Sequence, residues 1–386
     1  MSALVTDSDG RQVLAIIRSL GEKGISVTAG DIKRLSIGFF SRFCKKKLLY
    51  PNPDQNPEYF KKGLLKYISK NKIDVLIPVS NSTVSLISQS LKAFAKYTSV
   101  PIPPHDTIMK AMDKSLTMKT ATSVPRPATF VPTKLSEVHN IAKKLNFPAV
   151  IKPKISSGSR GLRYVNSSAE LIYFFNIIAQ KYDIPIIQEY IPGDEIYGVS
   201  ALLNKDSNPR AVFVHKRIRQ FPIKGGPSTY RVSVSNKKLA ELGLRILEDI
   251  EWYGVAMTEF KMDPRDGKPK LIEINPRFWG SLSLAIFAGI DFPYLLYKLA
   301  VEGDIKPTFN YRVGVKTRYL LFGDIFCFLA SANKLALLPE MLALYEKDLS
   351  YDIWRRDDPL PAFIRLLNGI RHVSSRDMWE YAYFRA

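Results

Sequence analysis

The sequence predicts a mixed α/β protein with three consecutive parts. Short apolar runs alternate with helical patterns over about the first hundred residues, which is typical of an open parallel sheet with helices on both faces. A longer region of the α+β type follows, in which helix and strand periods are mixed. The last part is helical by pattern. We expect the boundaries at 1–104, 105–310 and 311–386, with a smaller lid subdomain at about 125–192.

The first part contains three strand candidates and two helical patterns. The strands are ALVT at Ala3–Thr6, SVTA at Ser26–Ala29 and DVLIPV at Asp74–Val79, and the helical patterns cover Arg11–Leu20 and Pro57–Ser69. The proline-rich run Val100–His105 ends this part, because proline cannot continue a helix or an inner strand.

The composition is that of a cytoplasmic globular protein that attracts anions. Hydrophobic residues make up 46% of the 386, enough for packed cores. The net charge of +20 favours nucleotides and acidic metabolites, but Lys and Arg are spread along the chain and no nucleic-acid-binding motif occurs. Cys44 and Cys327 give neither a disulfide framework nor a metal spacing. We expect no leader and, because no apolar run of about 18 residues occurs, no transmembrane segment.

A β-hairpin is predicted late in the chain. Two alternating apolar runs, Val255–Met262 and Lys270–Asn275, flank the sequence DPRDGK, and Asp-Gly between such runs is the strongest short-range hairpin signal. Folding the chain about Asp266 places Glu259 opposite Glu273, and cross-strand partners have β-carbons about 4.5–5.5 Å apart.

The predicted pairing brings acidic oxygens together. Asn275 lies two residues beyond Glu273 and therefore shares its face of the sheet. Two carboxylates this close require a cation between them, and oxygen ligands suit Mg²⁺. The alternative is that Lys261, on the same face as Glu259, neutralises the pair.

Upstream of this hairpin, a strand–loop–strand pattern can cover phosphates. The strand Ala149–Lys152 runs through Lys154 into the Ser/Gly-rich loop Ser156–Gly161, and a second strand, Leu162–Val165, follows. This is not a P-loop, since it lacks Gly-Lys-Ser/Thr and no helix begins there. Its backbone N–H groups and hydroxyls can contact a triphosphate. An ordinary hairpin connection is the alternative.

Five segments in this order resemble the ATP-grasp superfamily, from about Pro101 to about Pro307, and a preceding α/β domain is also typical of that family. The segments are MDK at Met112–Lys114, FPAVIKP at Phe147–Pro153, SSGSRG at Ser156–Gly161, QEYIPGDE at Gln188–Glu195 and EFKMDPRDGKPKLIEINPR at Glu259–Arg277. The resemblance implies an ATP-grasp domain in which two α+β subdomains hold ATP between them.

The resemblance also implies roles for individual residues. It implies that the ATP phosphates are bound by Lys114, Lys152 and Lys154 and covered by a loop with Ser157, Gly158, Ser159 and Gly161. It also implies that the adenine hinge consists of Gln188, Glu189, Tyr190 and Ile191 and that the carboxylate of Glu195 binds the ribose. Glu259, Glu273 and Asn275 match ligands of two Mg²⁺ ions, with Mn²⁺ as an alternative. Arg277 matches the arginine that steadies the transferred phosphoryl group, and we expect it to act with Lys152 and Arg217.

A basic segment after the strand candidate Ala211–Val214 is the candidate substrate contact. It contains Lys216, Arg217, Arg219, Gly225, Gly226 and Ser228, and a similar run occurs in amino-acid ligases of this superfamily such as the D-aspartate ligases. These cations can hold an anionic substrate or an acyl phosphate. Trp279 and Ser281 are expected to line the same cavity. A solvated basic loop is the alternative.

The reaction implied by the resemblance is ATP-dependent ligation of a small-molecule carboxylate to an amine through an acyl phosphate, with release of ADP. An amino acid is the expected partner of a small molecule or peptide. The first alternative is a small-molecule kinase of the same fold, which transfers the phosphoryl group to a hydroxyl and forms no amide. The second is a nucleotide-binding protein without turnover.

The C-terminal part carries helical patterns with interleaved basic and aromatic residues. The patterns cover Tyr319–Leu329, Leu335–Tyr345, Pro361–Ile370 and Arg376–Tyr383. We expect this extension to pack on its own domain or to form a homodimer interface. Peripheral contact with a membrane surface is the alternative.

Overall fold

The computed structural model describes residues 1–156, 158–223 and 225–373, with side chains to residue 370. Within these residues the strands form three sheets of four, four and seven strands. The mixed α/β class is therefore confirmed. One predicted helix, Arg376–Tyr383, lies outside the described residues.

The first sheet is parallel, as the alternation of strands and helices predicts. Its strand order is β3-β2-β1-β4. The third strand, CKKKLL, was not predicted, because three successive lysines hide its period. They suit it as an edge strand, since charged side chains there discourage pairing with other chains. The elements are β1 (Ser2–Val5), α1 (Arg11–Glu22), β2 (Ser26–Asp31), β3 (Cys44–Leu49), α2 (Pro57–Lys70), β4 (Val75–Ile77), α3 (Asn81–Gln89) and α4 (Leu91–Phe94).

Two helices then lead into a small antiparallel sheet with the strand order β5-β8-β6-β7. Helix α8 buries Leu171, Phe175 and Ile178, spaced four and three residues apart, in the core shared with this sheet. We refer to this unit as the lid sheet. The elements are α5 (His105–Met112), α6 (Lys114–Thr120), β5 (Thr129–Phe130), α7 (Glu137–Ala142), β6 (Ala149–Lys152), β7 (Arg163–Val165), α8 (Ser168–Tyr182) and β8 (Ile186–Glu189).

The seven-stranded central sheet has the order β13-β12-β9-β10-β11-β14-β15. Its core is continuous with that of the first sheet, because α10 and α11 pack between the two. The elements are β9 (Ile196–Leu203), β10 (Pro209–Gln220), β11 (Ser228–Ser233), α9 (Lys237–Asp249), β12 (Gly254–Asp263), β13 (Lys268–Asn275), α10 (Leu282–Ala288), α11 (Phe292–Glu302) and β14 (Lys316–Arg318).

The predicted hairpin is confirmed, with a detail that determines its register. Near the turn Asp263 pairs with Lys268, and this spacing alone would place Glu259 opposite Ile272. Ile272 is instead an extra residue in a β-bulge, so Glu259 pairs with Glu273 as predicted.

The strand candidate Ala211–Val214 was predicted too short, because β10 continues through the basic segment to Gln220, and the alternative of a solvated loop is wrong for this stretch. A second irregularity follows: Arg217 pairs with Arg231, whereas Arg219 pairs with Tyr230. Neighbouring residues on β11 face opposite sides of the sheet. The bulge therefore turns Arg219 to the face opposite Arg217.

The described part of the C-terminal extension is largely helical, and it also adds β14 and β15 to the central sheet. A kink at Leu321 and Phe322 lies inside the π-helical turn that precedes α12. Several apolar side chains are exposed, among them Leu335 at 84% and Tyr345 at 95%. Membrane contact and dimerisation stay predictions. The elements are a π-helical turn (Leu320–Asp324), α12 (Ile325–Ala330), α13 (Lys334–Leu342), β15 (Leu349–Tyr351) and α14 (Leu360–Val373).

Among the described residues, no single helix has both the length and the apolar composition needed to cross a bilayer. Taken together, α10 and α11 meet that criterion by length and composition, but they meet at an angle of 87°.

Candidate active site

A cleft of about 550 Å³ separates the lid sheet from the central sheet. Lys152, Gln188 and Tyr190 line it from the lid side, and Arg217 and Glu259 line it from the central sheet. Gly225, Ser159, Glu189 and Ile191, all predicted site residues, also contribute to its wall. We call it the nucleotide cleft, because it collects the predicted hinge and one of the predicted phosphate-binding lysines.

Lys152 is held by the lid sheet and faces other charges. Its Nζ donates to Oε1 of Gln188 at 2.6 Å, and the Gln188 amide donates to the Thr129 hydroxyl. Burial, with the nearby charge of Lys114 adding, lowers the pKa of Lys152 to about 8. A buried lysine that is costly to keep charged gains from a phosphate that binds beside it.

Lys114 begins α6, where a cation opposes the helix dipole. Asp113 compensates, since its carboxylate caps the helix by accepting from the backbone N–H of Ser115. The Lys114 Nζ donates to the Ser156 carbonyl at 3.2 Å and lies 3.8 Å from Glu273. Lys114 therefore connects the covering loop to the β12–β13 hairpin that carries Glu259 and Glu273, which we call the acidic hairpin.

The two glutamates lie side by side on the hairpin and are each matched by a cation. Arg217 donates to Glu259 at 2.7 Å, and both side chains are largely buried. Burial and the proximity of Glu273 raise the pKa of Glu259, against the opposing effect of Arg217. The predicted alternative, in which Lys261 neutralises the pair, is not what the structure shows: Lys261 lies over the Tyr190 ring.

The donor set fits a hard cation that also binds phosphates. Asn275 donates to Glu273 at 3.2 Å, and its amide oxygen accepts from Arg277. In the described part of the chain no group of three or more His, Cys, Asp or Glu side chains could hold a metal alone. Two carboxylates and an amide oxygen leave positions for phosphate oxygens and water, which is how Mg²⁺ is usually bound with nucleotides.

A second cavity, of about 120 Å³, is also lined by residues of this hairpin. We call it the substrate cavity. Ser159, Arg217 and Glu259 line both cavities, so the two are contiguous at the acidic hairpin. Glu273, Asn275 and Arg277 line the substrate cavity together with the predicted residues Gly158, Gly226, Ser228, Trp279 and Ser281.

His215 forms part of the wall of the substrate cavity and was not predicted as a site residue. His215 pairs with Gly198 on β9, and Gly198 pairs in turn with Glu259 on β12, so the three residues form one row across the sheet. A Cβ on Gly198 would lie 2.2 Å from the imidazole ring. Burial, then the charges of Arg231 and Arg217, lower the pKa of His215 to about 3. The neutral ring can accept from the Ser281 hydroxyl, which lies 3.1 Å from Nε2.

Some predicted residues lie away from both cavities. Glu195 and Lys216 pair with each other at a partly exposed site. Arg219 lies on the other face of the sheet between Asp324 and Glu340, and these carboxylates outweigh burial and raise its pKa.

Two further predicted residues have structural surroundings, and a third is not described. The backbone carbonyl of Lys154 accepts from Lys114. Gly161 adopts a positive φ of +72° where a Cβ would meet Pro153. Ser157 lies outside the described residues.

Arg11 is the other site residue that the sequence did not reveal. It begins α1 and reads there as an ordinary helix residue, yet its guanidinium lines the substrate cavity. Its Nη2 donates to the Ser228 carbonyl at 2.8 Å and its Nη1 to Asp352 at 3.1 Å. No sequence signal could have found it, because its partners are 217 and 341 residues away.

Comparisons with known proteins point to ATP-grasp enzymes. A family model described as "ATP-grasp in the biosynthetic pathway with Ter operon" matches residues 182–320. The D-aspartate ligase of Enterococcus faecium is 24% identical over 341 residues, which cover 79% of this chain and 81% of that protein. The D-alanine–D-alanine ligase of Aquifex aeolicus is 26% identical over 185 residues, which cover 46% of this chain and 62% of that protein.

The fold has solved counterparts. N5-carboxyaminoimidazole synthetase from Staphylococcus aureus matches with a TM-score of 0.68 and 15% identity, covering 93% of this chain and 90% of that one. The relatives identify an ATP-dependent enzyme that forms carbon–nitrogen bonds. The predicted resemblance to the ATP-grasp superfamily, of the carboxylate–amine ligase type, is thereby confirmed.

Proposed function

We propose that the enzyme activates a small-molecule carboxylate as an acyl phosphate and then joins it to an amine, with an amino acid as one of the two substrates. The observation that carries the proposal is the Glu259–Glu273 pair, which lies where the nucleotide cleft and the substrate cavity meet. A phosphoryl group can be transferred only where the donor and acceptor pockets adjoin, and the acidic hairpin is that place.

The first step is phosphoryl transfer to the acid. Lys114 and Lys152 are suited to hold the phosphates, and Glu259, Glu273 and Asn275 would hold two Mg²⁺ ions. Bound Mg²⁺ would neutralise phosphate charge during transfer. A carboxylate oxygen attacks the γ-phosphorus, and the bond from that phosphorus to the β–γ bridging oxygen breaks to release ADP. Arg277 lines the substrate cavity and can stabilise the transferred phosphoryl group.

The second step forms the amide. The amine attacks the acyl carbon, the bond from that carbon to the phosphate-bearing oxygen breaks, and inorganic phosphate leaves with an oxygen that came from the acid. The amine gives up its proton. Ser159, which lines both cavities, is placed with its loop to exclude water from the acyl phosphate before the amine reacts.

The names of the relatives support an amino acid as substrate. The D-aspartate ligase matches most of the chain. The solved L-amino acid ligase from Bacillus licheniformis has a TM-score of 0.61 and 16% identity, covering 79% of this chain and 77% of that one. Both names describe ligases of amino acids.

The test is to incubate the enzyme with Mg-ATP and a library of acids and amino acids. We expect ADP and inorganic phosphate to appear together and to require both an acid and an amine. With ¹⁸O in the carboxylate of the active acid, one labelled oxygen should be found in the phosphate. Hydroxylamine in place of the amine should trap the acyl group as a hydroxamate.

Two outcomes would overturn the proposal. If ADP appears without inorganic phosphate and the substrate gains a stable phosphate ester, the enzyme is a kinase. If phosphate is released but carries no ¹⁸O from the acid, no acyl phosphate is formed.

A further inference from the structure

The substrate cavity has more positive charge than phosphoryl transfer alone requires. Three guanidinium groups line it, those of Arg11, Arg217 and Arg277. Arg217 is paired with Glu259, whereas Arg277 contacts only the neutral oxygens of Asn81, Asn275 and the Phe278 backbone among the described residues. Once cations bind the two glutamates, Glu259 no longer neutralises the charge of Arg217. The cavity then attracts an anion with more than one negative charge.

Arg11 is the cation that the reaction itself does not use. It enters from α1 in the first domain, while the metal-binding candidates and Arg277 come from the hairpin and the turn after it. Its hydrogen bonds to described residues, to Asp352 and the Ser228 carbonyl, use two of its five donor hydrogens. The Tyr319 ring lies 4.6 Å from the guanidinium and fixes its plane.

Gly280 keeps the space beside Arg11 open. A Cβ at this position would lie 3.0 Å from Nη2 of Arg11, and Gly280 itself lines the cavity. The cation is also strongly anchored, because the buried carboxylate of Asp352 bonds both Arg11 and Arg231. A fixed, partly unused guanidinium facing a cavity is the arrangement that binds carboxylates with the least rearrangement.

Position and size indicate which substrate occupies the cavity. The occupant lies against Glu259 and Glu273, where the phosphoryl group arrives, so it is the acid. A protonated amine would be repelled by the three guanidinium groups. A cavity of about 150 Å³ holds one benzene molecule, so 120 Å³ suits a compact molecule of similar size.

We propose that the acid substrate is a small dicarboxylate, one carboxylate being phosphorylated beside Glu259 and Glu273 and the other being held by Arg11. This inference rests on the proposed function, since it identifies the acid of that reaction. Arg11 is thereby a specificity-determining residue. It acts on the second carboxylate and not on the nucleotide.

The test compares acids of equal length with one and two carboxylates. Hydroxylamine-trapped turnover is measured with succinate and butyrate, and with malonate and propionate. We expect kcat/KM to be at least about 10-fold higher for each dicarboxylate, since a charged hydrogen bond contributes about that much. Arg11→Met should lower kcat/KM for the dicarboxylates by about 10–100-fold, leave the monocarboxylates within about 2-fold and leave KM for ATP unchanged. Arg11→Lys should fall between.

Two further variants guard against misfolding and non-specific charge effects. Gly280→Ala crowds Arg11 without removing the charge and should reduce the preference for dicarboxylates in the same direction. Lys62→Met removes an exposed cation of α2 and should change neither preference nor rate. Equal kcat/KM for succinate and butyrate in the wild type, or an Arg11→Met effect that is the same for both acids, would overturn the inference and leave the ligase intact.

A binding measurement separates this inference from the proposed function. Calorimetry with succinate, Mg²⁺ and a non-hydrolysable ATP analogue tests the cavity without turnover. Binding of succinate that Arg11→Met weakens at least about 10-fold, without product from any amine, would support the dicarboxylate site and reject the ligase. Absence of succinate binding would reject the dicarboxylate.

Discussion

Replacing Asp352 with asparagine should destabilise the protein strongly, because one buried carboxylate holds three parts of the chain together. It bonds Arg11 of the first domain and Arg231 of the central sheet, while its backbone belongs to the C-terminal extension. Removing one charge of a buried ion pair costs about 3–5 kcal/mol, because the remaining charge is left uncompensated. Here two arginines would lose their counter-charge together.

The expected change is large enough to measure by thermal unfolding. At roughly 2 °C per kcal/mol for a protein of this size, 3–5 kcal/mol corresponds to about 6–10 °C in the first unfolding transition. Asp357→Asn is the matched control. Asp357 is 44% exposed and pairs with the surface residue Arg355, so its loss should cost less than about 1 kcal/mol.

The pH dependence gives a second check. Burial opposes ionisation of Asp352, but Arg231 and Arg11 outweigh it and lower its pKa below the usual value. Its contribution is therefore complete above the unfolded-state pKa of about 3.9 and is lost as the pH falls through the lower folded-state pKa. The difference between wild type and Asp352→Asn should stay constant from about pH 5 to 9. A difference no larger than that of Asp357→Asn would refute the reasoning.

Two predictions concern the nucleotide site. Glu273→Gln should lower ADP formation at least about 100-fold, because its loss weakens binding of the catalytic cation. The unfolding midpoint should stay within about 2 °C, because the side chain is partly exposed. Unchanged activity over a magnesium titration would contradict this, and Glu302→Gln on the surface is the control. ATP affinity, measured by calorimetry, should fall about 5-fold between pH 8 and 9 as Lys152, whose pKa burial and Lys114 lower to about 8, loses its proton. The weaker binding of Lys152→Met should not vary with pH, and a wild-type affinity that is flat over this interval would speak against the role of Lys152.

Much of the fold follows from patterns that are local in the sequence. The parallel first sheet follows from alternating strands and helices, and only β3 was missed, because its lysines face solvent. The cap of α6 by Asp113 and the position of Lys114 depend on four neighbouring residues. Such features are local in energy as well as in sequence, so residue order is sufficient to predict them.

The two bulges show where a local pattern fails. Strand alternation has a period of two, so one extra residue moves every following side chain to the other face. The bulge at Ile272 shifts the register that the turn sets by one residue, so that Glu259 pairs with Glu273. The bulge at Ile218 turns the side chain of Arg219 away from the substrate cavity. No residue type in either stretch indicates the bulge, since isoleucine is also common in regular strands.

The sequence by itself therefore determined the order of the nucleotide-binding segments and the acidic hairpin, because a strand and its turn are specified by adjacent residues. Only the tertiary structure decided the composition of the substrate cavity. Arg11 and His215 line it from two parts of the chain, and Asp352 from a third part holds Arg11 in place, because the first part of the chain and the C-terminal extension pack against the same sheet. Contacts over such sequence distances depend on the packing of whole elements, which no local pattern encodes.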